Sequence, residues 1–137
     1  MDYDTFVDQV ARRAGVPAGR AVELTRATLE TLEQRLTGGE VLDLAAQLPK
    51  PLRLMLRPGP DTEAAERFGA AEFAARVGQR AALDERAARE AVRAVFVTLR
   101  EAMTGGEFDD IVVRFPRDYR EMVEPALAPG AAAPRRP

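Results

Sequence analysis

The sequence predicts an all-α fold, a tandem duplication of an approximately four-helix unit packed as one globular helical domain with pseudo-twofold symmetry. Three observations predict it. Apolar residues recur at spacings of three and four along most of the chain, as one face of a helix requires. The chain aligns with itself without a gap at an offset of 67 residues, Phe6 through Leu56 on Phe73 through Val123. The glycine and proline breakers fall at the same places in both copies, and a fixed period of this kind marks a duplicated unit. Identical pairs include Phe6/Phe73, Val10/Val77, Arg13/Arg80, Glu23/Glu90, Arg26/Arg93, Leu32/Leu99, Glu40/Glu107, Asp43/Asp110, Pro49/Pro116 and Arg53/Arg120.

The first helix of each unit places Phe6, Val10 and Ala14, or Phe73, Val77 and Ala81, on one face. Asp2 is its N-cap in the first copy; Gly69 takes that place in the second, with Phe68 positioned to staple onto Phe73. The second helix is the longest. Its core stripe is Val22, Thr25, Leu29, Leu32 and Leu36 in one copy and Val92, Phe96, Leu99 and Met103 in the other. Pro17 starts it in the first copy, and Leu83 with Asp84 supplies a staple and cap in the second.

"LTGGE" and "MTGGE" follow. Gly38 or Gly105 is expected at C′ of the long helix in the left-handed conformation, with Gly39 and Gly106 beside them and Glu40 and Glu107 in the first turn of the next helix. A capping box on Thr-Gly-Gly-Glu is the alternative. The cost of about 1 kcal/mol for each interior glycine favours the C′ reading. Val41, Leu44 and Leu48, matched by Phe108, Ile111 and Phe115, face the core from the third helix, which Pro49 and Pro116 stop. A short fourth helix turns Leu52, Met55 and Leu56 inward, or Tyr119, Met122 and Val123. The domain boundaries are then 1–56 for the first repeat, 57–68 for a linker, 69–124 for the second repeat and 125–137 for a disordered tail rich in Ala and Pro.

With these residues in place, the two copies of "F…V…R…(A/G)…TL…(L/M)TGGE…D…(L/F)P…R" resemble the prokaryotic domain of unknown function 2267 family. "LTGGEVLDLAAQLPKPLR" is the most specific stretch, and the resemblance covers nearly all of 1–123. It implies a soluble all-helical domain and supplies no catalytic or binding residues. The first copy departs from the pattern at Pro51, where the second has Asp118.

Composition narrows the chemistry. Cys, His, Trp, Ser and Asn are all absent, so seryl and cysteinyl triads, disulfides and ordinary zinc sites are excluded. The 20 basic and 22 acidic residues are interspersed, and a net charge of -2 calls for neither nucleic acid nor an anionic membrane. The N-terminus is acidic and no apolar run reaches the length of a membrane span, so the expected location is the cytoplasm, with no membrane association. No cofactor is expected. The chain reads as a non-catalytic helical interaction or regulatory module with an unidentified protein partner, its oligomeric state open.

Three charged groups are candidates for something more. Arg86, Arg89, Arg93 and Arg100 form a row along one helix, the basis of an alternative nucleic-acid-associated reading, but Glu85, Glu90 and Glu101 interleave it. Glu107, Asp109 and Asp110 cluster at a helix start, where the macrodipole explains them better than a hard cation does. The charges shared by both copies, Arg13, Glu23, Arg26, Glu40, Asp43 and Arg53 with their counterparts, are read as fixing helix packing. In particular, Asp43 is expected to pair with Arg53 and Asp110 with Arg120, each across its proline turn.

Overall fold

The Asp2 side chain accepts a hydrogen bond from the Thr5 amide at 2.8 Å and opens α1 (Tyr3–Ala14), which closes on Gly15 in the left-handed conformation. After Pro17 the chain enters α2 (Ala18–Arg35). The computed structural model describes residues 1–56, 66–103, 106–113 and 115–119, and in that range it continues with α3 (Gly38–Ala46), α4 (Lys50–Arg53), α5 (Ala70–Ala81), α6 (Glu85–Ala102) and α7 (Glu107–Val112). A helical turn follows at 117–119. Among the described residues there is no strand. The helices α1 and α5 have 12 residues each and α2 and α6 have 18 each, with boundaries in the same 67-residue register as the sequence identities.

Packing follows the apolar stripes. In α1 and α5, Phe6, Val10, Phe73 and Val77 are fully buried; in the long helices so are Leu29, Leu32, Phe96 and Leu99. The helix α1 packs on both α2 and α6, α5 packs on both α6 and α2, and the two long helices also touch each other. Four buried threonines interrupt this apolar surface. Thr25, Thr28, Thr31 and Thr98 each donate the hydroxyl hydrogen to the carbonyl four residues back, so no donor is stranded in the core.

The core is more aromatic than composition suggests, and unevenly so. Phe73 meets Phe96 edge-on at 5.4 Å and Tyr119 at 5.6 Å; Phe96 meets Phe108 at 5.4 Å, and Phe115 meets Tyr119 at 4.8 Å. The expected staple is present, Phe68 lying 6.2 Å from Phe73.

Two turns differ from the expectation. Gly38 does not close α2: that helix ends as Leu36 becomes extended, and Gly38 and Gly39 are the first two residues of α3. Thr37 is the N-cap of a full capping box. Its hydroxyl accepts from the Glu40 amide at 3.2 Å, and its own amide donates to Glu40 Oε1 at 2.9 Å. The interior penalty for glycine does not govern this end, because first-turn amides have no partner within the helix and the box satisfies the amides of Glu40 and of the N-cap Thr37. Nor are the two glycine turns equivalent. Gly106 is left-handed at φ 74 and precedes α7, whereas its counterpart Gly39 is helical. Gly105 lies outside the described residues, as do 57–65 of the linker, Arg120 and the tail at 125–137.

The starts of α5 and α6 are closed in two different ways. Asp84 caps α6 by accepting from the Ala87 amide at 2.8 Å. Gly69, which has no side chain to offer, leaves the Ala70 amide of α5 to donate to Asp118 Oδ2 at 3.0 Å. A Cβ on Gly69 would stand 2.8 Å from that carboxylate oxygen. At the far ends, Gly15 and Ala82 both adopt positive φ, 69 and 56, and only the alanine bears the steric penalty.

Thr37→Ala removes the reciprocal capping contacts and is expected to lower the unfolding free energy by about 1 kcal/mol, while Thr37→Ser retains most of it. Urea denaturation at constant m-value checks this, and equal losses for the two variants would contradict the capping account.

Candidate functional site

The charges repeated in the sequence serve different ends. Arg13 and Arg80, at the last turns of α1 and α5, reach across to the long helix of the opposite half. Arg13 Nη1 donates to Thr98 Oγ1 at 2.8 Å, and Nη2 meets Glu101 Oε2 at 2.5 Å. Arg80 Nη1 donates to Thr31 Oγ1 at 2.6 Å and to Gln34 Oε1 at 3.1 Å, with Glu30 at 3.9 Å. Thr31 and Thr98 occupy matching positions, as do Gln34 and Glu101. Each threonine hydroxyl therefore donates back to its own helix and accepts from the arginine, which lets a buried hydroxyl receive a charged donor without loss of its other partner. The shared "TL" pattern marked these threonines in the sequence, but only the helix crossing gives them their arginine partners.

A second cluster was not legible from spacing. Arg35, in the last turn of α2, is 8% exposed, and no carboxylate among the described residues lies within ion-pair distance of it. Its guanidinium sits 4.6 Å from the Phe115 ring centroid, 5.5 Å from Tyr119 and 5.6 Å from Phe68. Nε donates to the Phe68 carbonyl at 3.0 Å and Nη1 to the Glu66 carbonyl at 3.2 Å. Tyr119 is fully buried and donates its hydroxyl hydrogen to the same Phe68 carbonyl at 2.8 Å. Arg76 covers the Phe68 ring at 3.9 Å and also bonds Glu72, Glu66 and Gln34. At the 67-residue offset the matching residues are Ala102 for Arg35, Met1 for Phe68, Leu48 for Phe115 and Leu52 for Tyr119, so this cluster has no counterpart.

The arginine row is present on α6 but compensated. Arg86 pairs with Glu90 at 3.6 Å, Arg89 with Glu85 at 3.4 Å and Arg100 with Asp109 at 3.0 Å, and Arg93 is also engaged. Asp109 is thereby drawn away from its acidic neighbours, while Glu107 accepts from Gln47 Nε2 at 3.2 Å. Among the described residues no three carboxylates converge in a way that holds a metal. Glu40 belongs to the capping box, and Glu23 pairs with Arg20 at 2.6 Å.

The expected Asp43–Arg53 pair is not formed. Both side chains are exposed and neither makes an ion pair with any described residue. Leu44 and Leu48 turn toward the core and leave Asp43 on the solvent side of α3; burial of Leu52, Met55 and Leu56 turns Arg53 outward in the same way. Asp110 is exposed, and its expected partner Arg120 lies outside the described residues.

A cavity of about 350 Å³ opens between α2, the end of α4 and α5. Arg26, Glu30 and Gln34 line it from α2, Leu54 and Met55 from beyond α4, and Arg80 from α5. Arg26 is exposed and makes no ion pair with a described residue. Leu54 is one of four large apolar side chains left open to solvent among the described residues, at 64% exposure.

Fold and contacts together define an all-helical domain built on two crossed helical hairpins, in which no described helix is long and apolar enough to cross a membrane. The chain belongs to the DUF2267 family of uncharacterized conserved proteins, whose family model matches residues 3–122. No curated protein matches it.

Arg13→Ala and Arg80→Ala are each expected to lower the unfolding free energy by about 1–2 kcal/mol, since both remove a charged donor from a buried hydroxyl. Arg12→Ala is the control, its side chain 75% exposed and paired only with Asp8. A loss no larger than the control's would reduce the crossing contacts to surface charge.

Burial pushes the Tyr119 hydroxyl up to about 12, against the opposing effect of the hydrogen bond from Arg35. The folded state therefore holds this proton more firmly than the unfolded chain, where the ordinary value is about 10. Its contribution to stability is complete below pH 10 and is lost as pH rises toward 12. Stability measured from pH 9 to 12 is expected to fall for the native chain, and Tyr119→Phe to flatten that fall; identical alkaline limbs would refute the assignment.

Proposed function

We propose that the protein is a non-catalytic helical interaction or regulatory module that works in the cytoplasm through a protein partner. One observation carries the choice over a nucleic-acid-associated role: the arginine row on α6 is closed by carboxylates at 3.0–3.6 Å. Neutralisation of phosphates drives nucleic-acid binding, and a row already paired offers few cations for that exchange. The residue alphabet supports the same reading. With neither His nor Cys, the chain has no side chain whose unperturbed value lies near neutrality to serve as a general base.

The architecture that supports this reading is a tandem duplication about a pseudo-twofold axis. The reciprocal contacts Arg13–Thr98 and Arg80–Thr31 are related by the same 67-residue register as the sequence identities, and exchanging α1 with α5 and α2 with α6 maps the contacts among these four helices onto one another. Such an arrangement presents rigid helical faces and keeps the shared core for packing.

Affinity capture from native cells, with and without nuclease, tests the function. Captured protein is expected to survive nuclease treatment and an Arg86→Gln/Arg89→Gln/Arg100→Gln substitution. Capture of nucleic acid alone, abolished by that substitution and falling steeply with salt, would instead establish the alternative.

A further inference from the structure

We propose that the cavity between α2, α4 and α5 is where the partner docks, and that it takes an acidic side chain with an apolar neighbour, the carboxylate on Arg26 and the apolar group on Leu54 and Met55. This deepens the interaction-module reading and rests on it. The charges around the cavity are unequal in their commitments. Arg80 is committed to Thr31, Gln34 and Glu30, and Glu33 is also engaged. Arg26 remains as a guanidinium on the cavity wall with no described ion pair, able to accept a carboxylate through two parallel N–H bonds.

The apolar part of the site lies beside it. Leu54 is 64% exposed and Met55, at 6%, is part of the buried core. A volume of about 350 Å³ is at the small end of ligand pockets and suits one or two side chains. With Arg80, Glu30 and Glu33 already engaged, Arg26 offers one cation and matches one carboxylate on a peptide rather than the repeated charges of a nucleic acid or an anionic membrane. Arginine is among the residues enriched as interface anchors.

The test is an NMR titration of the full-length, ¹⁵N-labelled chain with N-acetyl-glutamyl-leucinamide. Saturable shifts are expected at the Arg26 side chain, Leu54 and Met55, with a dissociation constant on the order of millimolar. Replacing the peptide's Glu by Gln, or Arg26→Gln in the protein, is expected to weaken binding about tenfold. Because Arg26 is exposed, the variant should keep the native shifts of the buried Phe6 and Phe73, which confirms its fold. Equal binding by the Gln peptide, binding that survives in Arg26→Gln, or shifts confined to another face would each overturn the proposal. So would an absence of saturable shifts, or an Arg26→Gln variant that instead perturbs residues 57–65 and so assigns the cavity to the chain itself. Failure here alongside nuclease-resistant capture of a partner would move the interface elsewhere and leave the interaction-module reading standing.

Discussion

Each short helix completes its burial only against the long helix of the opposite half, and the rest of the molecule depends on that crossing. A hairpin of α1 and α2 alone would leave the α6-facing side of α1 open to water, and α5 with α6 has the same deficit toward α2. Joined, they bury Phe6, Val10, Phe73 and Val77 completely. The threonine hydroxyls at Thr31 and Thr98 stand at the two crossing points, and each accepts from an arginine of the opposite half. Apolar area supplies most of the driving force here, while the arginines act on register: a helix shifted by one turn would leave a buried hydroxyl without its charged donor.

A polar and aromatic cluster at the end of α2 has no equivalent at the end of α6. Arg35 has no carboxylate near it among the described residues; neutral carbonyls and ring faces surround it. Those carbonyls belong to Glu66 and Phe68, at the entrance to α5, and the rings to Phe68, Phe115 and Tyr119. One side chain thus joins the end of α2 to two segments distant in sequence. At the 67-residue offset stand Ala102, Met1, Leu48 and Leu52, of which the two leucines are buried and Met1 is exposed.

How much of this was legible in the sequence depended on how local the physics was. The apolar stripes of α1, α2, α5 and α6, the caps at Asp2 and Asp84 and the Phe68–Phe73 staple all follow from residues within a few turns of one another. The "TGGE" turn was local too, yet it was misjudged: a propensity measured for helix interiors was set against a capping box at a helix end, and the box prevailed. The Asp43–Arg53 assignment failed for a different reason. Two charges flanking a proline turn were brought together on sequence distance, although the buried leucines beside them orient both side chains to solvent. Arg35 could not be found at all, since its partners lie about 30 and 80 residues away and nothing in its own helix marks it. The cavity beside Arg26 likewise exists only once α2, α4 and α5 have been assembled.

The caps of α1 and α5 show how two halves can diverge while keeping one electrostatic solution. At the first helix the carboxylate belongs to the N-cap residue itself, Asp2, and Pro51 occupies the position that corresponds to Asp118. At the fifth the carboxylate arrives from Asp118 and the N-cap is Gly69, where a Cβ would stand 2.8 Å from the oxygen and oblige the carboxylate to shift. Beyond the first-turn acids Asp4 and Glu72, each helix start has one carboxylate that accepts from a leading amide, delivered from opposite sides. The consequence is epistatic: exchanging only the N-cap would set two capping carboxylates against each other at α5 and leave α1 without one. Residues 2 and 51, like 69 and 118, are coupled, and a single substitution on the way from one arrangement to the other leaves a helix start with two capping carboxylates or with no capping carboxylate.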